Sequence, residues 1–128
     1  MSLLDEQQQN AWRTAVAGDA EYQLIARWTD ATIQLCDDTS SYTYTVNVFG
    51  LRPRDDTAKM IVLHGSNHAW TDFLADPPPP HAHNLLAMDR RRDDFTIAAG
   101  REELIANLRV LNRVMDLMRA AAHPGTNA

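Results

Sequence analysis

The side chains able to do chemistry are few, and they fall in short, separate groups. His64, Ser66, His68 and Asp72 make the cluster closest in composition to a nucleophile set. Its surroundings, GSNHAW, lack the Gly-x-Ser-x-Gly turn that presents a hydrolase serine. Ser66 and His68 also lie two residues apart, about 200° around a helix, so they cannot face each other. The pair reads as a helix cap and a surface histidine. His81 and His83 form a His-x-His motif that could supply two ligands, but a structural zinc wants four. Cys36 and the other histidines sit on different segments, so no metal is expected. Asp19 and Glu21 form a carboxylate pair, which a helix-to-strand turn explains equally well. Cys36 has Asp37 and Asp38 beside it, and neighbouring carboxylates raise a thiol pKa rather than lower it. Arg90-Arg91-Arg92 is enclosed by Asp89, Asp93 and Asp94 and mostly neutralises itself, as a solvated turn does. No phosphate loop, Walker pattern or CxxC occurs. Catalytic residues and cofactors are therefore not assigned.

Around these groups the hydropathy pattern changes along the chain. Residues 3–17 read as an amphipathic helix stopped by Gly18. AEYQLIARW alternates through Tyr22, Leu24 and Ala26 and suits a strand, and ATIQL alternates again. After the turn Asp37-Asp38-Thr39-Ser40, SYTYTVNVF places Tyr42, Tyr44, Val46 and Val48 on one face and Thr43, Thr45 and Asn47 on the other. Residues 50–57 carry a proline and four charges and read as a hairpin loop. KMIVLHG is nearly all apolar, as a central strand is. Ser66 then caps a short helix, NHAWTDFLA, with Trp70, Phe73 and Leu74 turned inward. The prolines of residues 77–80 form an extended connector. HAHNLLAM makes a helical turn or two, and DDFTIAAG a last strand. One helix is predicted over residues 101–121, with Leu104, Leu108, Leu111, Met115 and Met118 as a stripe. Val110, Val114 and Leu117 form a second stripe beside it.

The expected fold is α+β: an antiparallel sheet of about five strands covered on one face by helices and closed by a long C-terminal helix. The 128 residues suit a single domain, with its core over about 12–119 and a frayed tail over 122–128. Hydrophobic residues make up 45% and charged residues 23%, a globular balance. Twelve basic and seventeen acidic residues give a net charge of −5 with no basic face, which argues against nucleic acid. No stretch approaches a membrane span, and the first residues carry no signal pattern, so a cytoplasmic location is expected.

The positive signal is apolar. A helix with more than half of its circumference apolar closes a core, lines a cavity or docks on another chain. Methionines at 115 and 118 suit an adaptable pocket. The candidate ligand-binding residues are Trp70, Phe73, Leu74, Leu108, Val110, Leu111, Val114, Met115, Leu117 and Met118, with Trp70 and Phe73 near the mouth.

DAEYQLIARWTDATIQL, SYTYTVNVFG, IVLHGSNHAWTDFLADPPPP and DFTIAAGREELIANLRVLNRVMDLMR together resemble the sterol carrier protein type 2-like fold. They are most similar to domains found N-terminal to α/β-hydrolase enzymes. The likeness covers about residues 12–119. It implies a five-stranded sheet under helices, with an apolar tunnel that takes a lipid, sterol or acyl chain and carries no catalytic residue. The alternative is a non-catalytic accessory or oligomerisation subunit, as a homodimer or with a separate hydrolase-like enzyme. The chain departs from eukaryotic carriers in lacking a C-terminal peroxisomal signal. The phrases GDAE and WTDATI also resemble the nuclear transport factor 2-like cone, home to small isomerases and dehydratases. That fold usually ends on long strands, whereas this chain ends on a helix.

Overall fold

The computed structural model describes residues 5–53, 60–75, 78–80, 82 and 84–122. The first helix, α1 (Glu6–Ala17), starts at Asp5, whose side chain accepts from the Gln8 amide while the Gln8 side chain accepts from the Asp5 amide. This reciprocal capping box satisfies two amides that the helix itself leaves unpaired. Gly18 ends α1, as expected.

The segment read as a first strand is a helix instead, α2 (Ala20–Ile25). Asp19 caps it by accepting from the Tyr22 amide at 2.8 Å. Tyr22 and Ala26 are fully buried while Leu24 is 65% exposed. An i, i+4 pair and a period-2 pattern share the residues 22 and 26, and the intervening Leu24 decides between them. The Tyr22 hydroxyl donates to the Asn47 carbonyl, and burial pushes its pKa up to about 12.

The sheet contains β1 (Asp30–Cys36), β2 (Ser41–Asn47), β3 (Gly50–Pro53), β4 (Ile61–Gly65) and β5 (Phe95–Ala99), in the order β3-β2-β1-β4-β5. Three neighbouring pairs are antiparallel, but β1 and β4 run parallel, so the sheet is mixed rather than wholly antiparallel. A chain that has made two hairpins outward to β3 must return to place β4 beside β1. Residues 54–59 of that return lie outside the described residues.

The expected loop at 50–57 begins as the edge strand β3. Leu51, paired with Val46, is buried, and Gly50 makes the turn at φ +115°. In β2, Tyr44 and Val46 are buried and Tyr42 half-buried. Val48 lies past the strand end, 40% exposed, and Thr45 on the opposite face is itself buried. The alternation is therefore real over Tyr42, Tyr44 and Val46 and stops at the turn.

Ile33, Leu35, Tyr44, Val46, Ile61 and Leu63 point to the helical side and share one core with Trp12, Val16, Leu111 and Met115. Gln34, Thr43, Arg52, His64 and Thr96 occupy the opposite face, half-buried or exposed. The last helix is interrupted. α3 (Asn67–Leu74) and α4 (Leu85–Arg91) precede β5, then α5 (Arg101–Ala106) ends at Asn107, and α6 (Leu108–Ala121) starts anew. The Asn107 side chain donates to the Glu103 carbonyl, a local bond that competes with helix continuation. The break lets α5 pack on β4 while α6 lies against α1 and α2. No helix is long and apolar enough to cross a membrane among the described residues.

Candidate functional site

At 100° per residue, Leu117, Val110, Ala121, Val114, Met118, Leu111, Met115 and Leu108 follow one another over roughly 180° of α6. The two stripes expected from sequence are thus the two halves of a single face. Val110, Val114, Leu111, Met115 and Met118 are buried, and the rim positions Leu108 and Leu117 are half-buried. A core enclosed by a sheet and by α1 can use both halves. Trp12 on α1 is fully buried and donates from Nε1 to the Val114 carbonyl at 2.9 Å.

Trp70 and Phe73, expected near a cavity mouth, are interior residues, 0% and 1% exposed. The Trp70 indole donates to the Cys36 carbonyl at 2.9 Å, and its ring meets Phe73 and Phe95 edge-on at 5.9 and 5.4 Å. Leu74 is buried at the end of α3. The candidate residues are thus gathered in one region, mostly as packed core.

An opening does exist where α6 meets α3 and α4. A cleft of about 160 Å³ is lined by Phe73, Leu85 and Met115, with Asn84, Asn112 and Asp116 as its polar lining. Arg119 closes the same seam. Its guanidinium lies 4.5 Å from the Phe73 ring centre and donates to the carbonyls of Phe73 at 2.7 Å and Ala82 at 3.3 Å. One side chain therefore ties α6 to α3 and to the connector that precedes α4. Sequence reading missed this arginine, because nothing in RAAAH marks it; apart from Asp116, 3.5 Å away on the same helix, its partners are the Phe73 ring and backbone carbonyls that only the fold brings near.

The polar cluster where β4 runs into α3 has a structural arrangement. The Ser66 hydroxyl accepts from the Ala69 amide at 3.0 Å and donates to Asp94 Oδ2 at 3.0 Å. Arg92 binds Asp94 through Nε and Nη2 at 2.9 and 3.1 Å and Asp72 through Nη1 at 2.9 Å. The guanidinium holds the Asp94 carboxyl down at about 2, too weak a base to activate a hydroxyl at neutral pH. His68 points instead to Asp72, 3.4 Å away, with its side chain 75% exposed. The cluster caps α3 and ties it to β5. The arginine run is also divided: Arg92 is paired here, while Asp89 pairs with Arg101 and accepts from the Ile97 amide.

This geometry sets an acid-stability limb. Asp94 titrates near 2 in the folded chain against an ordinary value of 3.8, so its stabilisation is complete above about pH 4 and is lost as the pH falls through about 2. The pair is partly open to water, which reduces the contribution to about 1 kcal/mol. Urea unfolding between pH 5 and pH 2 should show a shallower decline in Asp94→Asn than in the natural chain. An unchanged slope would remove Asp94 from the limb.

Asp19 and Glu21 are likewise tethers. Arg113 takes Asp19 with two bonds, at 2.9 and 2.6 Å, and approaches Glu21 at 3.2 Å, joining α2 to α6. These bonds hold Asp19 below the usual carboxylate range. The position is a helix N-cap, not the helix-to-strand turn expected. Burial, then Asp37, raises the Cys36 thiol. The Cys36 Sγ lies 3.6 Å from Gln34 Oε1. His81 and His83 lie outside the described residues. No group of three or more potential metal ligands is gathered among the described ones.

Compared with protein-family models, with curated proteins and with solved structures, the chain matches none.

Proposed function

We propose that this chain is a non-catalytic binding module for an apolar molecule, a lipid, sterol or acyl chain, taken up alongside α6. The observation that carries this reading is the Phe73–Leu85–Met115 cleft, which opens beside the buried face of α6 and is latched by Arg119. Its 160 Å³ is below the roughly 300 Å³ at which small-molecule sites begin. Uptake therefore requires α4 and its connector to move away from α6, and the Arg119 bonds to Phe73 and Ala82 resist that movement. The adaptable Met115 side chain at the floor suits a site that repacks when filled.

Palmitate, palmitoyl-coenzyme A and cholesterol are the probes. A molecule that binds only the folded chain raises its melting temperature. Arg119→Ala should lower stability by about 1–2 kcal/mol, the size of lost charge-assisted hydrogen bonds. It should at the same time increase the uptake of whichever probe binds. If no probe shifts the melting temperature of either form, the apolar-ligand reading is wrong.

A further inference from the structure

Among the described residues, the five large hydrophobic side chains left exposed are Leu24, Trp28, Val48, Phe49 and Ile105. All five lie at the end of the sheet where β1 and β4 begin. Trp28 precedes β1, and Val48 and Phe49 follow β2, whose Asn47 is paired with Asp30. Ile105 is on α5, which packs on β4. The other end carries the carboxylates Asp37, Asp38, Asp72, Asp93 and Asp94 around the start of α3. Leu24, Trp28, Val48 and Phe49 are brought together there by the α2–β1 turn and the β2–β3 hairpin.

Trp28 is 92% exposed and Phe49 72%. Each ring has an arginine over it: Arg27 lies 6.0 Å from the Trp28 ring centre, and Arg52 lies 5.9 Å from that of Phe49. Among the described residues the exposed carboxylates at this end are Asp30 at the start of β1 and, on α5 with Ile105, Glu102 and Glu103. Glu21, on the same helix as Leu24, is already engaged by Arg113.

From this juxtaposition we propose that the Leu24–Trp28–Val48–Phe49 end docks peripherally on an anionic lipid surface. A large aromatic side chain offers about 150–250 Å². Two aromatic and two smaller aliphatic side chains, each only partly exposed, supply roughly 500 Å² per chain, so a dimer built on them alone would bury about 1,000 Å². Stable protein interfaces bury about 1,600 Å², and a patch made of two turn tips has no flat surround to make up the difference. A lipid interface needs only a few protruding aromatic and aliphatic side chains sunk about 5–10 Å, with cations at headgroup level. Arg27 and Arg52 meet that second condition, and the carboxylate-rich end faces away from the charged surface.

The tryptophans make the test direct. Trp12 and Trp70 are fully buried, so a change in fluorescence on adding vesicles reports Trp28. With vesicles of phosphatidylcholine and about one-third phosphatidylglycerol, Trp28 emission should shift to the blue and the chain should co-sediment. Arg27→Gln and Arg52→Gln should each weaken that partition about fivefold, the effect of one surface arginine on an anionic leaflet. Trp28→Ser with Phe49→Ser should abolish it while leaving the melting temperature unchanged, because neither side chain is in the core. The proposal is overturned if the chain fails to sediment with these vesicles. It is equally overturned if the emission shifts with protein concentration alone, or on adding a separate enzyme subunit, since a protein then covers the patch. Neither outcome bears on uptake at the α6 cleft, which is measured without vesicles.

Discussion

Replacing Gly100 by alanine should destabilise the chain by about 3 kcal/mol and lower its melting temperature by roughly 10 °C. Gly100 ends β5 and starts α5 with φ +77°, in the left-handed region. A residue with a Cβ pays about 1–2 kcal/mol for that conformation. A Cβ placed here would also stand 2.7 Å from the Ile61 Cα and from the Met60 carbonyl oxygen. Both are backbone atoms at the start of β4, so neither can rotate away. Relief requires β4 and β5 to separate or α5 to lift, and either adds about 1–3 kcal/mol. Urea or thermal unfolding followed by circular dichroism measures the loss. A change under about 1 kcal/mol would mean that β5 and α5 join in a different geometry. Gly18→Ala is the control, since a Cβ there meets its nearest neighbour at an ordinary 3.5 Å.

Trp70→Ala should cost about 3–5 kcal/mol, enough to leave a domain of this size barely folded. The indole is fully buried, lies against Phe73 and Phe95, and satisfies the Cys36 carbonyl at the end of β1. Its seat depends on Gly65, where a Cβ would come within 3.0 Å of Trp70 Nε1 and Phe95 Cδ2. Trp70→Phe, which keeps an aromatic ring and loses the donor, should cost about 1–3 kcal/mol, the penalty for an unpaired buried carbonyl. Far-ultraviolet circular dichroism at increasing urea separates the two. A loss below 1 kcal/mol for the alanine variant would mean that Trp70 borders open space, as a cavity mouth does.

These two residues show how sequence and structure divide the information. GSNHAW was legible as strand end, cap and helix because each signal is local: Ser66 accepts from Ala69, three residues on, and Trp70 follows at inward-facing spacing. That Trp70 sits at the centre of a ring cluster was not legible, because Phe95 and Cys36 are brought to it by strand pairing. The same contrast explains α2. Alternation at 22, 24 and 26 matches a strand, and only the exposure of Leu24 against buried Tyr22 and Ala26 selects the helix. It explains α6 as well, where a broad apolar arc is compatible with a tunnel wall or with a core packed from two sides. Trp12, 102 residues away from Val114, shows the second arrangement at its centre.

By itself, then, the sequence determined the elements whose causes lie within a few residues. These are α1 with its Gly18 stop, β1, the body of β2, β4, α3 under Ser66, α4 and β5, together with the α+β class that this order implies. Tertiary structure decided what depends on distant partners. It set the parallel placement of β4 beside β1, the use of Gly50–Pro53 as an edge strand under α1, and the break at Asn107 that lets α5 and α6 pack differently. It also gave Asp19, Asp94 and Arg119 their roles, since Arg113, Ser66 and the Phe73 carbonyl reach them only in the folded chain. Periodicity reports which side of an element is apolar; what that side meets is set by the three-dimensional arrangement of the rest.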